Sequence, residues 1–287
     1  MGEGTEHEQD PGDRPSYVVG IGGSAGSLQS LRTLVSGLSE TSGAAFVVAT
    51  HRPREGPSML REILAGESAL PVEEAAEGEP LRANRVYIVP GGEHWHLDPA
   101  EQFRGPKADN EGSATGAMAD ILASSHYPVD ALFRSVARLR GERGIGVILS
   151  GSGTDGTLGV KAIQDHVGHV LVEDPDTAAS EGMPRSPVAT GLVDWVLPAD
   201  RLAPTLMQNI SASEAPGASH TPNLDAETLA SIGAIVNQHT GRDLSGYKRT
   251  TVTRRVAWRN CCRWRGPGWA SPWRNYRRAP TRAMPAA

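Results

Sequence analysis

The sequence predicts a doubly wound α/β fold with a mainly parallel sheet flanked by helices. Two observations lead to this prediction. Short apolar, β-branched segments recur along the chain, and stretches with helical spacing of apolar residues lie between them. Strands and helices that alternate in this way build βαβ units around a parallel sheet. The chain has 287 residues, enough for one such domain and a short helical C-terminal appendage.

The first predicted unit is a strand, a glycine-rich turn and a helix. Residues 18–21 form a β-branched run that predicts a buried strand, and glycines follow it directly. Ser24 lies in the turn between small neighbours, which leave its hydroxyl accessible. The N–H groups at the start of the helix favour negative charge there. The apolar residues of this helix recur at helical spacing and are Leu28, Leu31, Leu34, Val35 and Leu38.

Three interpretations of this turn are open. The spacing of Gly20, Gly22 and Gly26 approximates the glycine-rich cradle of a dinucleotide site. Alternatively, Ser24 is a nucleophile on a sharp strand-to-helix turn, with helix N–H groups as oxyanion donors. In the third interpretation the glycines serve only the sterics of a βα turn.

The later elements continue the alternation. Further strands are predicted where apolar or alternating segments recur, at 44–50, 72–79, 85–89, 94–97, 144–149, 169–172 and 193–197. Helices are predicted where the spacing is helical, at 57–64, 129–139 and 158–167. The small and polar stretch 105–125 is interpreted as a loop.

Three polar residues lie just past the ends of predicted strands: Ser24, His51 and Asp155. In doubly wound sheets the chemistry collects beyond the carboxyl ends of the strands, so we expect these residues to converge. A serine hydroxyl needs a base, and that base needs an orienting partner. We therefore predict Ser24 as nucleophile, His51 as general base and then acid, and Asp155 as the carboxylate that orients the imidazole. Backbone N–H groups of Ala25 or Gly26 are candidate oxyanion donors.

Other interpretations of these residues are weaker. A nicotinamide site needs an acidic residue at the end of its second strand, where this chain has His51. His94 and His96 lie close together, but no third ligand is in view, so we expect neither a metal nor a cofactor. Taken singly, a histidine after a strand, as at His51, is commonly only a loop residue, and Asp155 is also a good turn residue and a plausible helix N-cap.

Residues 17 to about 206 resemble the catalytic domain of the chemotaxis protein-glutamate methylesterases, the CheB-type family. The resemblance rests on ordered motifs, which are GIGGSAG at 20–26, THRP at 50–53, YIVPG at 87–91, PVDALF at 128–133, GVILSGSGTDG at 146–156 and GMP at 182–184. It implies a Ser-His-Asp triad at Ser24, His51 and Asp155. The implied reaction is hydrolysis of glutamate γ-methyl esters on receptor signalling helices, with release of methanol, and family members also deamidate receptor glutamines.

Two residues depart from the pattern of that family. Ala25 and Ser152 stand where the family often has Thr and Met, respectively. Together with Gly26 they are expected to contact the oxyanion or the substrate. The alternative to an esterase is a catalytically weak module of the same fold that docks on receptors.

Composition limits the compartment and the partners. The two cysteines, Cys261 and Cys262, are adjacent, so no disulfide framework is present and we expect a cytoplasmic protein. No apolar run is long enough for a membrane span. The net charge is −5, but the segment 258–287 contains seven arginines and no other charged residue, so the remainder carries −12. An acidic body argues against nucleic acid as the main partner.

The sequence predicts five segments. Residues 1–15 are a disordered leader, 16–210 the catalytic domain and 211–222 a linker. Residues 224–238 have helical periodicity, and residues 247–256 are predicted to form a basic helix. The whole segment 223–257 resembles the start of the N-terminal helical domain of CheR-type receptor methyltransferases, so a companion methyltransferase is an expected partner, but we expect no S-adenosylmethionine site in this chain. Residues 258–287, rich in Trp and Arg without periodicity, are predicted to be an aberrant, disordered tail. We expect no receiver domain ahead of the catalytic domain.

Overall fold

The computed structural model describes residues 13–24, 26–51, 59–91, 95–105, 127–213, 225–240 and 253. The chain divides into two compact units, Met1–His220 and Thr221–Ala287. The first unit contains the sheet and its helices, and the second contains one described helix.

The first unit is built on a seven-stranded sheet in which every neighbouring pair of strands is parallel. Its strands are β1 (Tyr17–Gly23), β2 (Ala44–Thr50), β3 (Val72–Glu74), β4 (Arg85–Ile88), β7 (Gly144–Ile148), β8 (His169–Glu173) and β9 (Trp195–Leu197). Their spatial order is β3-β4-β2-β1-β7-β8-β9. The short strands β5 (His96–Leu97) and β6 (Phe103–Arg104) pair separately and antiparallel. The predicted doubly wound α/β class is confirmed.

Helices connect the parallel strands. They are α1 (Ser27–Ser36), α2 (Leu60–Ala65), α3 (Pro128–Arg140), α4 (Thr157–Asp165), α5 (Gly182–Thr190) and α6 (Ala199–Ser213), with a 3₁₀ turn at Gly141–Arg143. The sequence pattern predicted the first four but missed α5 and α6. Prolines at positions 184, 187 and 204 interrupt the helical pattern of these two segments, although Pro184 lies in the first turn of α5, where proline is tolerated.

Three predicted details were wrong. The strand predicted over 72–79 ends at Glu74, because only the Ala75 N–H still donates to β4, at the carbonyl of Ile88, and the chain then turns over residues 76–79. The linker predicted over 211–222 begins too early, since α6 continues through Ser213. Leu28 was predicted to lie on the apolar face of α1, but its side chain is 44% exposed, whereas Leu31 and Leu34 are buried.

Close packing explains the glycines of β1. A Cβ added at Gly20 would lie 2.9 Å from the ring of Phe133, and one added at Gly22 would overlap the side chain of Val129. Both partners belong to α3, which packs across β1 and β7. The absent side chains therefore let the first turn of α3 approach the carboxyl end of β1.

The second unit contains α7 (Ala226–Thr240), which confirms the helix predicted from the periodicity of residues 224–238. The basic helix predicted at 247–256 and the tail 258–287 lie outside the described residues, apart from Thr253. The loop predicted at 105–125 also lies outside them, apart from Gly105. Among the helices that the structure describes, none has the length and apolar character needed to span a membrane.

Candidate active site

The three predicted triad residues lie at the same edge of the sheet. Ser24 directly follows β1, His51 directly follows β2, and Asp155 lies in the turn between β7 and α4. The strands β2, β1 and β7 are neighbours at the centre of the sheet and run in the same direction. The chain order reverses between β1 and β7, and crevices at such switch points are the usual ligand sites of doubly wound sheets.

His51 and Asp155 contact each other. The Nε2 atom of His51 lies 3.0 Å from Oδ2 of Asp155, and the imidazole is 30% exposed while the carboxylate is only 2% exposed. Ser24 and His51 line one pocket of about 270 Å³. The structure therefore places a buried carboxylate behind an imidazole that shares a pocket with the Ser24 side chain.

Backbone N–H groups hold the Asp155 carboxylate in place. Val129 donates to Oδ2 at 3.0 Å, and Asp130 donates to Oδ1 at 2.9 Å, both from the first turn of α3. Gly156 donates to Oδ1 at 2.7 Å. A helix N-terminus has unpaired N–H groups and a partial positive charge, so this end of α3 stabilises the carboxylate as well as orienting it.

Asp130 is a second buried carboxyl group beside Asp155. Its side chain accepts the Gly159 N–H at 2.6 Å, which links α3 to the first turn of α4. Burial raises the pKa of Asp130 to about 6, and the negative charge of Asp155 acts in the same direction. The hydrogen bond from Gly159 opposes this increase by favouring the charged form.

The turn that carries Ser24 is fixed by its backbone. The Ser24 N–H donates to the carbonyl of Ser150 at 3.0 Å, and the Ser24 carbonyl accepts the Ser27 N–H at 3.0 Å. Gly26 has a φ of +84°, a conformation that favours glycine, and stands at the start of α1. Ala25 lies outside the described residues. Ser152 is exposed and is not among the described residues that line the pocket.

An apolar wall closes one side of the pocket, and no sequence pattern predicted it. Leu28 and Leu31 come from the start of α1, and Leu60 and Ile63 come from α2. Met59, the residue directly before α2, completes the wall. Leu28 and Met59 are 44% and 67% exposed. The helical spacing of Leu28 and Leu31 is visible in the sequence, but it does not indicate that Leu28 faces a pocket, and no signal marks Met59, Leu60 or Ile63.

The described residues contain no group of three or more His, Cys, Asp or Glu side chains placed to hold a metal ion. Of the two histidines considered as ligands, His96 belongs to β5, and His94 lies outside the described residues. Burial lowers the pKa of His96 from its ordinary value.

Comparison with known proteins identifies the family of the chain. The family model described as CheB methylesterase matches residues 19–206. Two curated relatives are named protein-glutamate methylesterase/protein-glutamine glutaminase. The protein from Moorella thermoacetica is 36% identical, and the match covers 71% of this chain and 46% of the relative. The protein from Anaeromyxobacter dehalogenans is 34% identical, and the match covers 70% of this chain and 57% of the relative. The chain therefore spans about half the length of the curated relatives it matches.

A solved structure is also similar. The crystal structure of the Thermotoga maritima CheB methylesterase catalytic domain has a TM-score of 0.59 and 32% sequence identity with this chain. The alignment covers 67% of this chain and 98% of the Thermotoga maritima chain. The family model runs from Val19, within β1, to past β9, and it includes Ser24, His51 and Asp155. This chain belongs to the CheB methylesterase family.

Proposed function

We propose that this chain is a serine hydrolase that removes methyl groups from glutamate γ-methyl esters of chemotaxis receptors. The observation that carries the proposal is the contact between His51 and Asp155, 3.0 Å from Nε2 to Oδ2, beside a pocket that Ser24 also lines. The names of the curated relatives support the same activity. They also support a second activity at this site, deamidation of receptor glutamines.

The roles of the three side chains follow from their chemistry. In the first step the Ser24 hydroxyl attacks the ester carbonyl, and its proton passes to His51. Because Nε2 of His51 faces Asp155, we assign this proton exchange to Nδ1. The imidazolium then protonates the leaving methoxide, which departs as methanol. Water hydrolyses the resulting acyl-serine by the same route in reverse, and this step releases a free glutamate side chain.

The negative charge that develops on the carbonyl oxygen needs donors. The start of α1 supplies them in our proposal, through the N–H groups of Ala25 or Gly26. Gly26 lines the pocket next to Ser24, which supports this assignment. Ser152 lies in the exposed turn after β7, and we assign it to contact with the receptor outside the pocket.

The apolar wall suits the proposed substrate. A γ-methyl ester and a glutamine amide are both uncharged, whereas the glutamate product is an anion. Leu28 and Met59 expose apolar surface beside Ser24 and His51, and such surface binds a neutral side chain better than a charged one. The product is therefore expected to leave the pocket readily.

The domain organisation remains part of the proposal. We assign residues 16–210 as the catalytic domain and methyl-accepting receptor signalling helices as its partner, in the cytoplasm. The family model ends at residue 206, before the segment 223–257 that resembles methyltransferase helices. The resemblance of that segment rests on its sequence, and α7 shows only that residues 226–240 are helical. A companion methyltransferase would restore the esters that this site removes.

A methanol-release assay on methylated receptor tests the proposal. The intact chain is expected to release methanol, and Ser24→Ala or His51→Ala should reduce the rate at least ~10³-fold. Ser36→Ala, at the exposed far end of α1, is the matched control and should keep full activity. Undiminished turnover by Ser24→Ala would overturn the assignment of the nucleophile. Receptor binding by the intact chain without methanol release would favour a docking module instead.

A further inference from the structure

A buried carboxylate that the proposed triad does not use lies at the same edge of the sheet. Glu173 is the last residue of β8 and is 2% exposed. Its Oε1 accepts the hydroxyl of Ser30 at 2.8 Å, and its Oε2 accepts the backbone N–H of Ser150 at 2.7 Å. Buried carboxylates are costly unless they are hydrogen-bonded, so these two donors fix where the side chain lies.

The two donors belong to the two elements that flank the proposed nucleophile. Ser30 is in α1, the helix that begins three residues after Ser24, and Ser150 is in the turn after β7. The carbonyl of Ser150 accepts the N–H of Ser24 at 3.0 Å. The carboxylate of Glu173 is therefore joined to the Ser24 backbone through a single intervening residue, and it also ties that residue to α1.

Ser150 has little freedom to adjust if this support is removed. Its hydroxyl accepts the Ser180 N–H at 2.8 Å and donates to the Ser180 carbonyl at 3.3 Å. Its neighbour Gly151 packs so closely that an added Cβ would lie 2.8 Å from Cβ of Ser24. A displacement of the turn at Ser150 must therefore displace Ser24 as well.

We propose that Glu173 is a positioning residue that holds the Ser24 turn between α1 and the end of β7. This inference rests on the proposed function only for its catalytic consequence, because the hydrogen-bonded connection exists whatever the substrate is. Small misplacements of a reacting group are costly, and about 1 Å is enough to lower a rate by ~10²-fold.

Glu173→Ala and Glu173→Gln form the central comparison. Alanine removes both acceptors and leaves two buried donors unpaired. Glutamine keeps one oxygen for the Ser150 N–H and offers its amide to the Ser30 hydroxyl, which can rotate to accept. Glu173→Ala is expected to lower kcat for methanol release by ~10²-fold with KM nearly unchanged, whereas Glu173→Gln is expected to stay within about fivefold of wild type.

Asp194→Ala is the matched control. The Asp194 carboxylate also accepts a backbone N–H, from Val170 at 2.9 Å, and a side-chain donor, from Gln164 at 2.7 Å. It acts at the amino end of β8, whereas Glu173 acts at the carboxyl end. Asp194→Ala should therefore lower the thermal unfolding midpoint about as much as Glu173→Ala and leave kcat unchanged.

Amide hydrogen exchange provides a readout that does not depend on the receptor. In Glu173→Ala the amides of Ser24 and Ser150 should exchange at least ~10-fold faster, and the amide of Val170 should be unaffected; Asp194→Ala should show the reverse. Unchanged exchange at Ser24 in Glu173→Ala overturns the proposal, even if the chain proves to have another substrate. Equal loss of kcat in the alanine and glutamine variants also overturns it, because the effect would then come from charge.

If Glu173→Ala does not fold, Ser30→Ala tests the same connection by removing one of its two donors. It should lower kcat about threefold to tenfold and accelerate exchange at Ser24, and wild-type values for both would reject the proposal. Failure of the intact chain to release methanol would overturn the proposed function, but the exchange rates at Ser24 and Ser150 would still decide whether Glu173 holds the turn.

Discussion

The carboxylate of Asp155 lies 3.0 Å from Nε2 of His51, and the N–H of Val129 donates to the same oxygen, also at 3.0 Å. The imidazole is thus aligned by a carboxylate that is itself aligned by the first turn of α3. Gly22 in β1 allows the first turn of α3 to pack closely against β1, because any side chain at position 22 would overlap Val129. A continuous series of contacts therefore runs from the strand that carries Ser24 to the ring of His51.

Asp155→Asn should reduce methanol release by ~10³- to 10⁴-fold. The two oxygens of Asp155 accept three backbone N–H groups, and Oδ2 also faces His51. An asparagine has one oxygen, which satisfies two backbone donors if it takes the Oδ1 position, so its NH₂ group faces His51 and the N–H of Val129. Opposite an amide donor, Nε2 of His51 must accept and Nδ1 carries the proton, which is the wrong tautomer for accepting a proton from Ser24.

Steady-state kinetics on methylated receptor would measure this loss, and thermal unfolding would show how much of it reflects stability. An unpaired buried N–H costs about 1–3 kcal/mol, which is too little to unfold most domains. A folded Asp155→Asn variant with near-normal kcat would contradict the proposed role of this carboxylate.

Gly22→Ala should destabilise the first unit by about 1–3 kcal/mol, the usual cost of overpacking a well-packed core. The added methyl group would overlap Val129, which cannot retreat without moving the start of α3. Denaturant unfolding measures the change as a lower midpoint with an unchanged slope. Gly66→Ala is the control, since its added Cβ would lie 3.6 Å from the nearest atoms, an ordinary contact.

Because Val129 also holds Asp155, Gly22→Ala should lower kcat in the fully folded protein. A destabilised variant with unchanged kcat at saturating substrate would show that α3 can shift without disturbing Asp155.

The pattern of apolar segments predicted the centre of the sheet well, because β1, β2, β7 and β8 are buried along their whole length and β4 at all but its first residue. Local patterns also placed Ser24, His51 and Asp155 at strand ends, and a parallel sheet brings such ends to one edge. The roles of Asp130 and Glu173 were not predictable, since each depends on donors from distant helices and loops. Helices α5 and α6 were also not predicted, because prolines within them interrupt the helical sequence pattern.

Gly151→Ala should lower kcat by at least ~10-fold with a smaller effect on stability. The added Cβ would lie 2.8 Å from Cβ of Ser24 and would overlap the side chain of Met183. Methionine is flexible and can move aside. The Cβ of Ser24 is attached directly to the backbone, so this contact is relieved only by a shift of the Ser24 turn, which also strains the hydrogen bond from the Ser24 N–H to Ser150.

Single-turnover measurement of acyl-enzyme formation would isolate this step from product release. Gly151→Ala combined with Met183→Ala relieves only the methionine contact, so the double variant should remain impaired. Recovery of activity in the double variant would show that Met183, and not Ser24, transmits the effect.

Asp130→Asn should change how stability depends on pH. Burial raises the pKa of Asp130 from 3.8 to about 6 in the folded protein. The folded state therefore binds a proton that the unfolded state has already lost, and the associated stabilisation is fully present below about pH 4 and is lost as the pH rises through 6. Asparagine does not titrate and keeps an oxygen for the Gly159 N–H.

The free energy of unfolding of the variant minus that of the wild type should accordingly increase between pH 4 and 6 and become constant above about pH 7. The shift in the pKa of Asp130 corresponds to a total increase of about 3 kcal/mol. Denaturant unfolding of both proteins at several pH values measures this difference. A difference that is the same at about pH 4.5 and about pH 7.5 would show that Asp130 titrates alike in the folded and unfolded chains, which would contradict the prediction.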